Sequence, residues 1–223
     1  MLASQTVENY VKTIFLAQSS VAPPDALVPV GQIASALGVV PGTATTMVKT
    51  LAEAGLVHYE PYAGIRLTPA GERLASLVLR RHRLVELFLV RVLGMSWAEV
   101  HDEAERLEHA VSERLIDRID EMLGRPEVDP HGDPIPSAEG TIARPEYLDL
   151  LTAPLQTPLI VTRVIDQDAP FLHFVEQHGL VPGSAVVIDA RDPASDAVAL
   201  HSSSGGPTTV GTRAASKVLV RLS

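Results

Sequence analysis

Imidazole and carboxylate side chains are concentrated in the segment HDEAERLEH. Spacings of four, three and one place four of them on one side of a helix: His101, Glu105, Glu108 and His109. That side borders an apolar stripe, where carboxylates repel one another and lose hydration unless a cation joins them. Imidazole together with carboxylate suits divalent Mn, Fe, Co or Zn. The spacing is therefore compatible with a site for a divalent metal ion.

The predicted helix before this segment adds a second pair of such side chains. His82 and Glu86 are four residues apart and share one helix face. The alternative is a solvated acidic helix face with unrelated histidines, and spacing alone leaves both interpretations open. The chain has no cysteine, which excludes thiolate ligands and disulfides.

Length and composition are those of a globular protein of about two or three domains, with 223 residues, 46% apolar and 20% charged. The net charge of −9 argues against indiscriminate binding of nucleic acid. The acid is concentrated in residues 84–150, which carry sixteen Asp/Glu against six Lys/Arg. No apolar run approaches the roughly 18 residues that cross a membrane, and no signal peptide is recognisable. We expect a soluble, cytoplasmic protein without membrane contact.

The first part of the chain has the element order of a winged helix-turn-helix. Apolar spacing predicts a helix over residues 4–18, and VGQIASAL predicts a short second helix. A third begins near Pro41, which suits a first helical turn, and ends before Gly55. LVHYEPY and GIRLTPA predict a hairpin around Ala63 and Gly64. The order indicates DNA binding, although small helical domains without DNA use the same turn.

Two long helices are predicted next, over about residues 72–94 and 96–123. The apolar stripe of the second consists of Val100, Ala104, Leu107, Val111, Leu115 and Ile119. Such helices suit a homodimer interface. Short strands beyond residue 155, with one helical insert, predict a small β domain. The predicted fold is mainly α: a winged helix-turn-helix over 1–72, a helical metal-binding and dimerisation domain over 73–140, a linker over 141–154 and an SH3-like, FeoA-type β-barrel over 155–223.

Several segments resemble the diphtheria toxin repressor/manganese transport regulator family. They are RRHRLVELFLVRVLG, VHDEAERLEHAVSERLIDRI and DPHGDPIP, together with TVENYVKTIF and the turn GLVPGS. The family comprises dimeric, metal-activated repressors of metal-uptake genes. The resemblance implies a metal-dependent transcriptional regulator that binds double-stranded operator DNA as a homodimer, and not an enzyme.

The resemblance also implies two metal sites per chain. The primary site would use Asn9, Glu105, Glu108 and His109. The ancillary site would use His82, Glu86 and His101, completed by Asp166 or Asp168 of the C-terminal domain.

Two of these positions bear on the choice between manganese and iron. Iron-sensing members have Cys where this chain has Glu105 and Met where it has Asn9, whereas manganese-sensing members have Glu and Asp. Glu105 therefore favours Mn(II), with Fe(II) as the alternative. Lys12 stands where some manganese regulators have a metal-bridging Glu, which argues for two separated sites.

The predicted recognition helix begins with residues that the family places at the major groove: Pro41, Gly42, Thr43, Thr45, Thr46 and Lys49. Lys49 and Arg66 are the best phosphate anchors. Each threonine has ordinary helix-cap or surface chemistry as its alternative.

Other interpretations remain at this stage. DPHGDPIP is expected to form a rigid turn, which is favoured over metal binding by His131 and Asp133. A di-iron enzyme would need two Glu-x-x-His pairs, which the histidines of the helical segment do not form, and H-E-x-x-H is absent. The remaining rival is a winged-helix regulator controlled by a small organic effector in the C-terminal domain.

Overall fold

The computed structural model describes residues 4–19, 26–143, 145–202 and 206–223. The chain divides into two compact units. Unit 1 consists of residues 1–82, 108–111 and 136–142, and unit 2 consists of 83–107, 112–135 and 143–223. Among the helices of these described residues, none combines the length and the hydropathy that a membrane-spanning segment needs.

Unit 1 contains the predicted winged helix-turn-helix. Its elements are α1 Gln5–Ser19, α2 Val30–Ala36, α3 Pro41–Glu53, β1 Val57–Glu60, β2 Gly64–Leu67 and the first part of α4 Pro69–Arg91. Pro41 occupies the first turn of α3, where its missing N–H leaves no helical hydrogen bond unmade. Strands β1 and β2 form an antiparallel hairpin that pairs Val57 with Leu67.

One apolar core joins the elements of unit 1. Val11 and Ile14 of α1 are fully buried in the same cluster as Val48 and Leu51 of α3. At about 1.5–3 kcal/mol for each buried aliphatic side chain, this core makes α1 and α3 parts of one body. The position of the recognition helix is therefore coupled to that of α1.

The helical part of unit 2 differs from the prediction. One helix was expected over 96–123, but the structure has α5 Val100–Leu107 and α6 Glu113–Met122, separated by a turn. Ser112 explains the break, because its backbone is extended (φ −78°, ψ 154°) and its hydroxyl accepts a hydrogen bond from the Leu115 amide. The break also changes the apolar face, since Ile116 is buried and Leu115 is exposed.

The C-terminal part of unit 2 is the predicted small β domain, an antiparallel sheet in the order β3-β8-β4-β5-β6-β7. Its elements are β3 Leu148–Asp149, β4 Leu159–Val164, α7 Ala169–Gln177, β5 Ala185–Asp192, β6 Ala197–Ser202, β7 Gly206–Gly211, α8 Thr212–Ala215 and β8 Val218–Leu222. Strand β3 lies inside the segment predicted as a linker, so the sheet begins before residue 155. Its core includes Trp97 and Ala98 from the helical part.

Candidate metal centre and nucleic-acid interface

Glu108 is the centre of a buried polar cluster in unit 1. It follows α5, in the turn that breaks the predicted long helix, and its side chain has no exposed surface. The Lys12 Nζ donates hydrogen bonds to both of its carboxylate oxygens, at 2.7 and 2.8 Å. His82 Nδ1 lies 2.6 Å from Oε2. We call Glu8, Asn9, Lys12, His82, Glu108 and His109 the Glu108 cluster.

His109 has the arrangement of a metal-binding imidazole. Its Nδ1 lies 2.6 Å from Glu8 Oε2, and because a carboxylate only accepts, Nδ1 carries the proton. In the neutral ring, Nε2 then keeps its lone pair. Nε2 is buried without a hydrogen bond, although Glu108 Oε1 lies 3.2 Å away. A carboxylate that orients a histidine in this way is the common outer support of a metal ligand.

Asn9 and Glu8 complete the contribution of α1. The Asn9 Oδ1 is also buried without a hydrogen bond, and a metal ligand oxygen would have this environment. Glu8 accepts a hydrogen bond from Arg81 Nη2 at 2.8 Å in addition to its contact with His109. Glu8 was not predicted. Its position, three and seven residues before the buried Val11 and Phe15, could have identified it as a charge on the core-facing side.

Electrostatics hold Glu108 in its ionised form. Burial alone would raise the pKa of this carboxyl, but the hydrogen bond from His82 and the charge of Lys12 outweigh burial, so its pKa is lowered. Lys12 already occupies both carboxylate oxygens. A metal ion bound to Glu108 therefore requires the ammonium group to withdraw. The oxygen and imidazole groups of the cluster fit a divalent ion on that condition.

A second polar cluster lies in unit 2 around Glu86, which is buried on α4. His101 Nδ1 lies 3.2 Å from Glu86 Oε1, and its Nε2 lies 3.7 Å from Glu105 Oε1. His101 is half exposed. Three predicted ligands are thus brought together on the α4 and α5 segments of this unit.

The loop DPHGDPIP adds buried polar groups to the second cluster. Asp129, His131 and Asp133 are all buried. Burial raises the pKa of Asp129 well above its ordinary value, and the charges of Asp133 and Glu86 add to this shift, against the opposing charge of Arg83. The loop is a tight turn, as predicted, and it also buries two carboxyl groups and an imidazole. We call Glu86, His101, Glu105, Asp129 and His131 the Glu86 cluster.

The two aspartates proposed from the C-terminal domain have other contacts. The Asp166 carboxylate pairs with Lys217 and accepts a hydrogen bond from the Asp168 amide. Asp168 is exposed at the start of α7. Between them, Gln167 reaches Asp133, with its Nε2 2.7 Å from Oδ2. The structure therefore places neither aspartate in either cluster.

Two of the predicted DNA-binding residues line a groove of about 520 Å³ between α3 and the β1–β2 hairpin. Thr45 and Lys49 line its α3 side, and Tyr59 and Tyr62 line its hairpin side. The Thr45 and Thr46 hydroxyls donate to the carbonyls of Pro41 and Gly42 within α3.

The other predicted positions are on α3 and on β2 of the hairpin. Pro41, Gly42 and Thr43 are exposed at the start of α3, and Arg66 is half-buried on β2. Arg66 and the exposed Lys49 supply two cationic groups suited to phosphate contacts.

Comparison with known proteins agrees with this architecture. Three family profiles match the chain. The iron-dependent repressor N-terminal DNA-binding domain matches residues 2–65, and the iron-dependent repressor metal-binding and dimerisation domain matches residues 68–137. The FeoA domain matches residues 148–222. The iron-dependent repressor IdeR of Mycobacterium tuberculosis (strain ATCC 25618 / H37Rv) is 32% identical over 197 residues, covering 82% of this chain and 84% of the relative. The HTH-type transcriptional regulator MntR of Lysinibacillus sphaericus (strain C3-41) is 34% identical over 122 residues, covering 55% of this chain and 84% of the relative.

Among solved structures, a manganese-dependent transcriptional repressor in complex with manganese is 37% identical, with a TM-score of 0.86. The match covers 97% of this chain and all of that chain. The chain therefore belongs to the diphtheria toxin repressor/manganese transport regulator family of metal-dependent, DNA-binding transcriptional regulators.

Proposed function

We propose that this chain is a manganese-responsive repressor of metal-uptake genes that binds two Mn(II) ions per chain. Fe(II) is the alternative metal. The ligands that the resemblance assigns are Asn9, Glu105, Glu108 and His109 for the primary site and His82, Glu86 and His101 for the ancillary site. It completes the ancillary site with Asp166 or Asp168, of which Asp166 pairs with Lys217 in the structure. The absence of thiolates and the number of carboxylates favour a hard ion such as Mn(II). The manganese-bound repressor that is 37% identical supports the same choice.

The observation that carries this proposal is the arrangement of His109 in the Glu108 cluster. Glu8 fixes the ring so that a buried Nε2 lone pair lies 3.2 Å from a carboxylate oxygen. The unpaired Asn9 Oδ1 is buried on the same helix as Glu8. The His109 Nε2 and the Glu108 Oε1 are both electron-rich and carry no hydrogen. Burying them 3.2 Å apart is costly unless a cation or a proton lies between them.

Metal binding would act on DNA affinity through α1. A bound divalent ion supplies positive charge that holds amide, carboxylate and imidazole groups together. Asn9 lies on α1, whose apolar side shares a core with the recognition helix α3. Residues that hold the metal therefore restrain the helix that reads DNA. In a homodimer, two such helices would meet successive major grooves about 34 Å apart.

Unit 2 provides apolar side chains for the dimer contact. The large exposed ones in its helical part are Val92 and Leu93, in the turn after α4, and Leu107, Leu115 and Met122, on α5 and α6. Exposed apolar side chains of this size, grouped in one part of a chain, are typical of an oligomer interface.

One experiment tests the metal, the ligands and the response together. Fluorescence anisotropy would follow binding of the full-length protein to DNA upstream of candidate metal-transporter genes during titration with Mn(II), Fe(II), Co(II) or Zn(II). We expect Mn(II) to tighten binding, and Glu108→Gln and His109→Gln to lose the response. His173→Gln is the matched control, because His173 is about half exposed and outside both clusters. Unchanged affinity across metal and chelator would contradict the proposal.

A second candidate function rests on a groove of about 840 Å³ in unit 2. Leu87, Trp97, Tyr147 and Val161 line it, together with Arg91 and Arg221. Its size and mixed lining suit a small organic effector. A regulator controlled from this groove would keep its DNA binding in the Glu108→Gln and His109→Gln variants, so the same experiment separates the two functions.

A further inference from the structure

Tyr62, at the tip of the β1–β2 hairpin, is a large side chain that the fold does not bury. Its relative exposure is 108%. Burial in a core would stabilise an aromatic ring of this size, and Tyr62 gains nothing of the kind. The structure of unit 1 therefore gives no packing reason for a tyrosine at this position.

The backbone of Tyr62 also departs from what a tyrosine prefers. The Ala63 amide donates to the Glu60 carbonyl at 3.1 Å, which closes a turn with Pro61 in second place and Tyr62 in third. Tyr62 has φ +66°, in the left-handed region. A proline followed by a residue with positive φ is typical of a type II turn, whose third position favours glycine. Tyrosine at this position is strained, because its Cβ crowds the backbone.

Unit 1 uses glycine at its other left-handed positions. At Gly38 and Gly55, φ is +64° and +72°, close to the value at Tyr62, and an added Cβ would meet open space. Glycine is thus suited to these two positions by its φ alone. The other described residues of unit 1 with positive φ are also glycines, Gly64 and Gly140. A strained residue that is kept where glycine would fit indicates a function for its side chain.

Hydrogen bonds along the outer edge of β2 hold the hairpin beneath Tyr62. The amides of Val28 and Ile65 donate to each other's carbonyls, at 2.8 and 2.9 Å. The Leu67 amide donates to Gln18 Oε1 of α1 at 3.0 Å. With β1 paired on the inner edge, β2 is held on both sides. The ring is therefore carried on an ordered base, which lowers the entropy lost when it makes a contact.

Tyr62 lies on the same surface as the recognition helix, since it lines the groove of about 520 Å³ together with Thr45 and Lys49 of α3. An α-helix with its side chains is about 10–12 Å across, and the major groove of DNA is about 12 Å wide. A helix in that groove leaves no space for a second element. The hairpin beside α3 would then meet the sugar–phosphate strand at the edge of the groove.

We propose that the ring of Tyr62 packs against the deoxyribose–phosphate strand beside α3, as an uncharged contact. Residues 61–64 at the tip are Pro, Tyr, Ala and Gly, so the tip carries no charged side chain. The contact would add to the phosphate contacts expected of Lys49 and Arg66. The inference rests on the assignment of α3 to the major groove. The positions that the resemblance assigns to DNA do not include Tyr62.

Two variants separate the ring from the hydroxyl group and from the turn. Tyr62→Gly removes the ring and suits the left-handed backbone, whereas Tyr62→Phe retains the ring and removes only the hydroxyl. Asp196→Gly is the matched control for the backbone, because Asp196 is an exposed residue of the β domain with φ +48°. Thermal unfolding without DNA measures the effect of each variant on the fold.

The main readout is the affinity of the full-length protein, with saturating Mn(II), for DNA upstream of candidate metal-transporter genes at several salt concentrations. Roughly 50 Å² of ring surface removed from water, at about 25 cal/mol for each Å², corresponds to a change of about 8-fold. We expect Tyr62→Gly to bind about 8-fold more weakly and Tyr62→Phe to bind within about twofold of the wild type. The slope of log K against log salt should not change, because an uncharged contact releases no counterion.

Stability and DNA affinity should change independently in this series. The Tm of Tyr62→Gly should be at least that of the wild type, and Asp196→Gly should not weaken DNA binding. Wild-type affinity in Tyr62→Gly, an equal loss in Tyr62→Phe, or a lower Tm in Tyr62→Gly would each overturn the inference. A wild type that binds DNA equally with Mn(II) and with chelator would instead contradict the proposed function, and the comparison of Tyr62 variants would still decide this inference.

Discussion

Lys12 is the side chain whose replacement tests the electrostatics of the Glu108 cluster most simply. Its ammonium group contacts both oxygens of Glu108, and the two side chains are 8% and 0% exposed. Lys12→Met retains most of the aliphatic stem and removes the charge. Removing one partner of a buried ion pair costs about 3–5 kcal/mol. His82 still contacts Glu108 at 2.6 Å, so we expect the lower end of that range, about 3 kcal/mol.

The assay is thermal unfolding of the full-length protein, in chelator and with saturating Mn(II). In a chain of this size, about 3 kcal/mol corresponds to a fall in Tm of about 6–12 °C in chelator. Mn(II) should restore most of this loss, since the ion then binds Glu108 without displacing an ammonium group. The increase in Tm caused by Mn(II) should therefore be larger for Lys12→Met than for the wild type.

Lys49→Met is the control, because it is the same substitution at an exposed position of the same unit. It should leave Tm within about 1 °C of the wild type, as expected for a surface position. If Lys12→Met behaved like this control in chelator, the buried ion pair would not stabilise the fold. If Mn(II) stabilised both proteins equally, Lys12 and the metal would not compete for Glu108.

Four further predictions concern single positions or conditions. Glu8→Gln should weaken Mn(II) binding about 10–100-fold by calorimetry, because the carboxylate that orients His109 is lost; an unchanged affinity would show that Glu8 has no such role. Lys49→Ala should weaken binding similarly to all DNA sequences and reduce the salt dependence of log K by about one, whereas an unchanged slope would exclude a phosphate contact. Gly132→Ala should lower the free energy of unfolding by at least about 2 kcal/mol. At this position φ is +85°, and the new Cβ would lie 1.9 Å from the Thr162 carbonyl oxygen. Gly183→Ala is the control, with φ +93° and open space around the new Cβ, and it should lower the free energy of unfolding less. In chelator, the lowered pKa of Glu108 makes its ionised carboxylate stabilise the fold above pH 4.5, and this stabilisation is lost as the pH falls through the lowered pKa of the folded protein. The free energy of unfolding should therefore fall more steeply with acid for the wild type than for Glu108→Gln.

Much of unit 1 could be predicted because its signals are local. The spacing of Tyr10, Val11 and Ile14 identifies α1, and Pro41 and Gly55 mark the ends of the recognition helix. Strand β7, which begins at Gly206, was not predicted. Its sequence GPTTVG has little apolar alternation, and its pairing with β6 over six residues depends on tertiary context.

The clusters were predicted in part, because only some of their members share a helix. Spacing identified His101 and Glu105 on α5, but no local pattern joins Glu8 to His109 across about a hundred residues. Likewise, His131 lies in a segment whose prolines and glycine indicate a turn, and its contact with the Trp97 carbonyl is nonlocal. The break at Ser112 was missed because the apolar period continues through it, although a serine before Glu113 is an ordinary start signal for a helix.

The central claim is that metal held by the Glu108 cluster and DNA held by α3 are thermodynamically coupled. The most direct test measures the affinity of the full-length protein for Mn(II) with and without operator DNA. Linkage requires DNA to tighten Mn(II) binding by the same factor by which Mn(II) tightens DNA binding, about 5–150-fold for typical couplings of 1–3 kcal/mol. We expect the two factors to agree in the wild type and to fall to about one in Glu108→Gln. An affinity for Mn(II) that is unaffected by DNA would contradict the account.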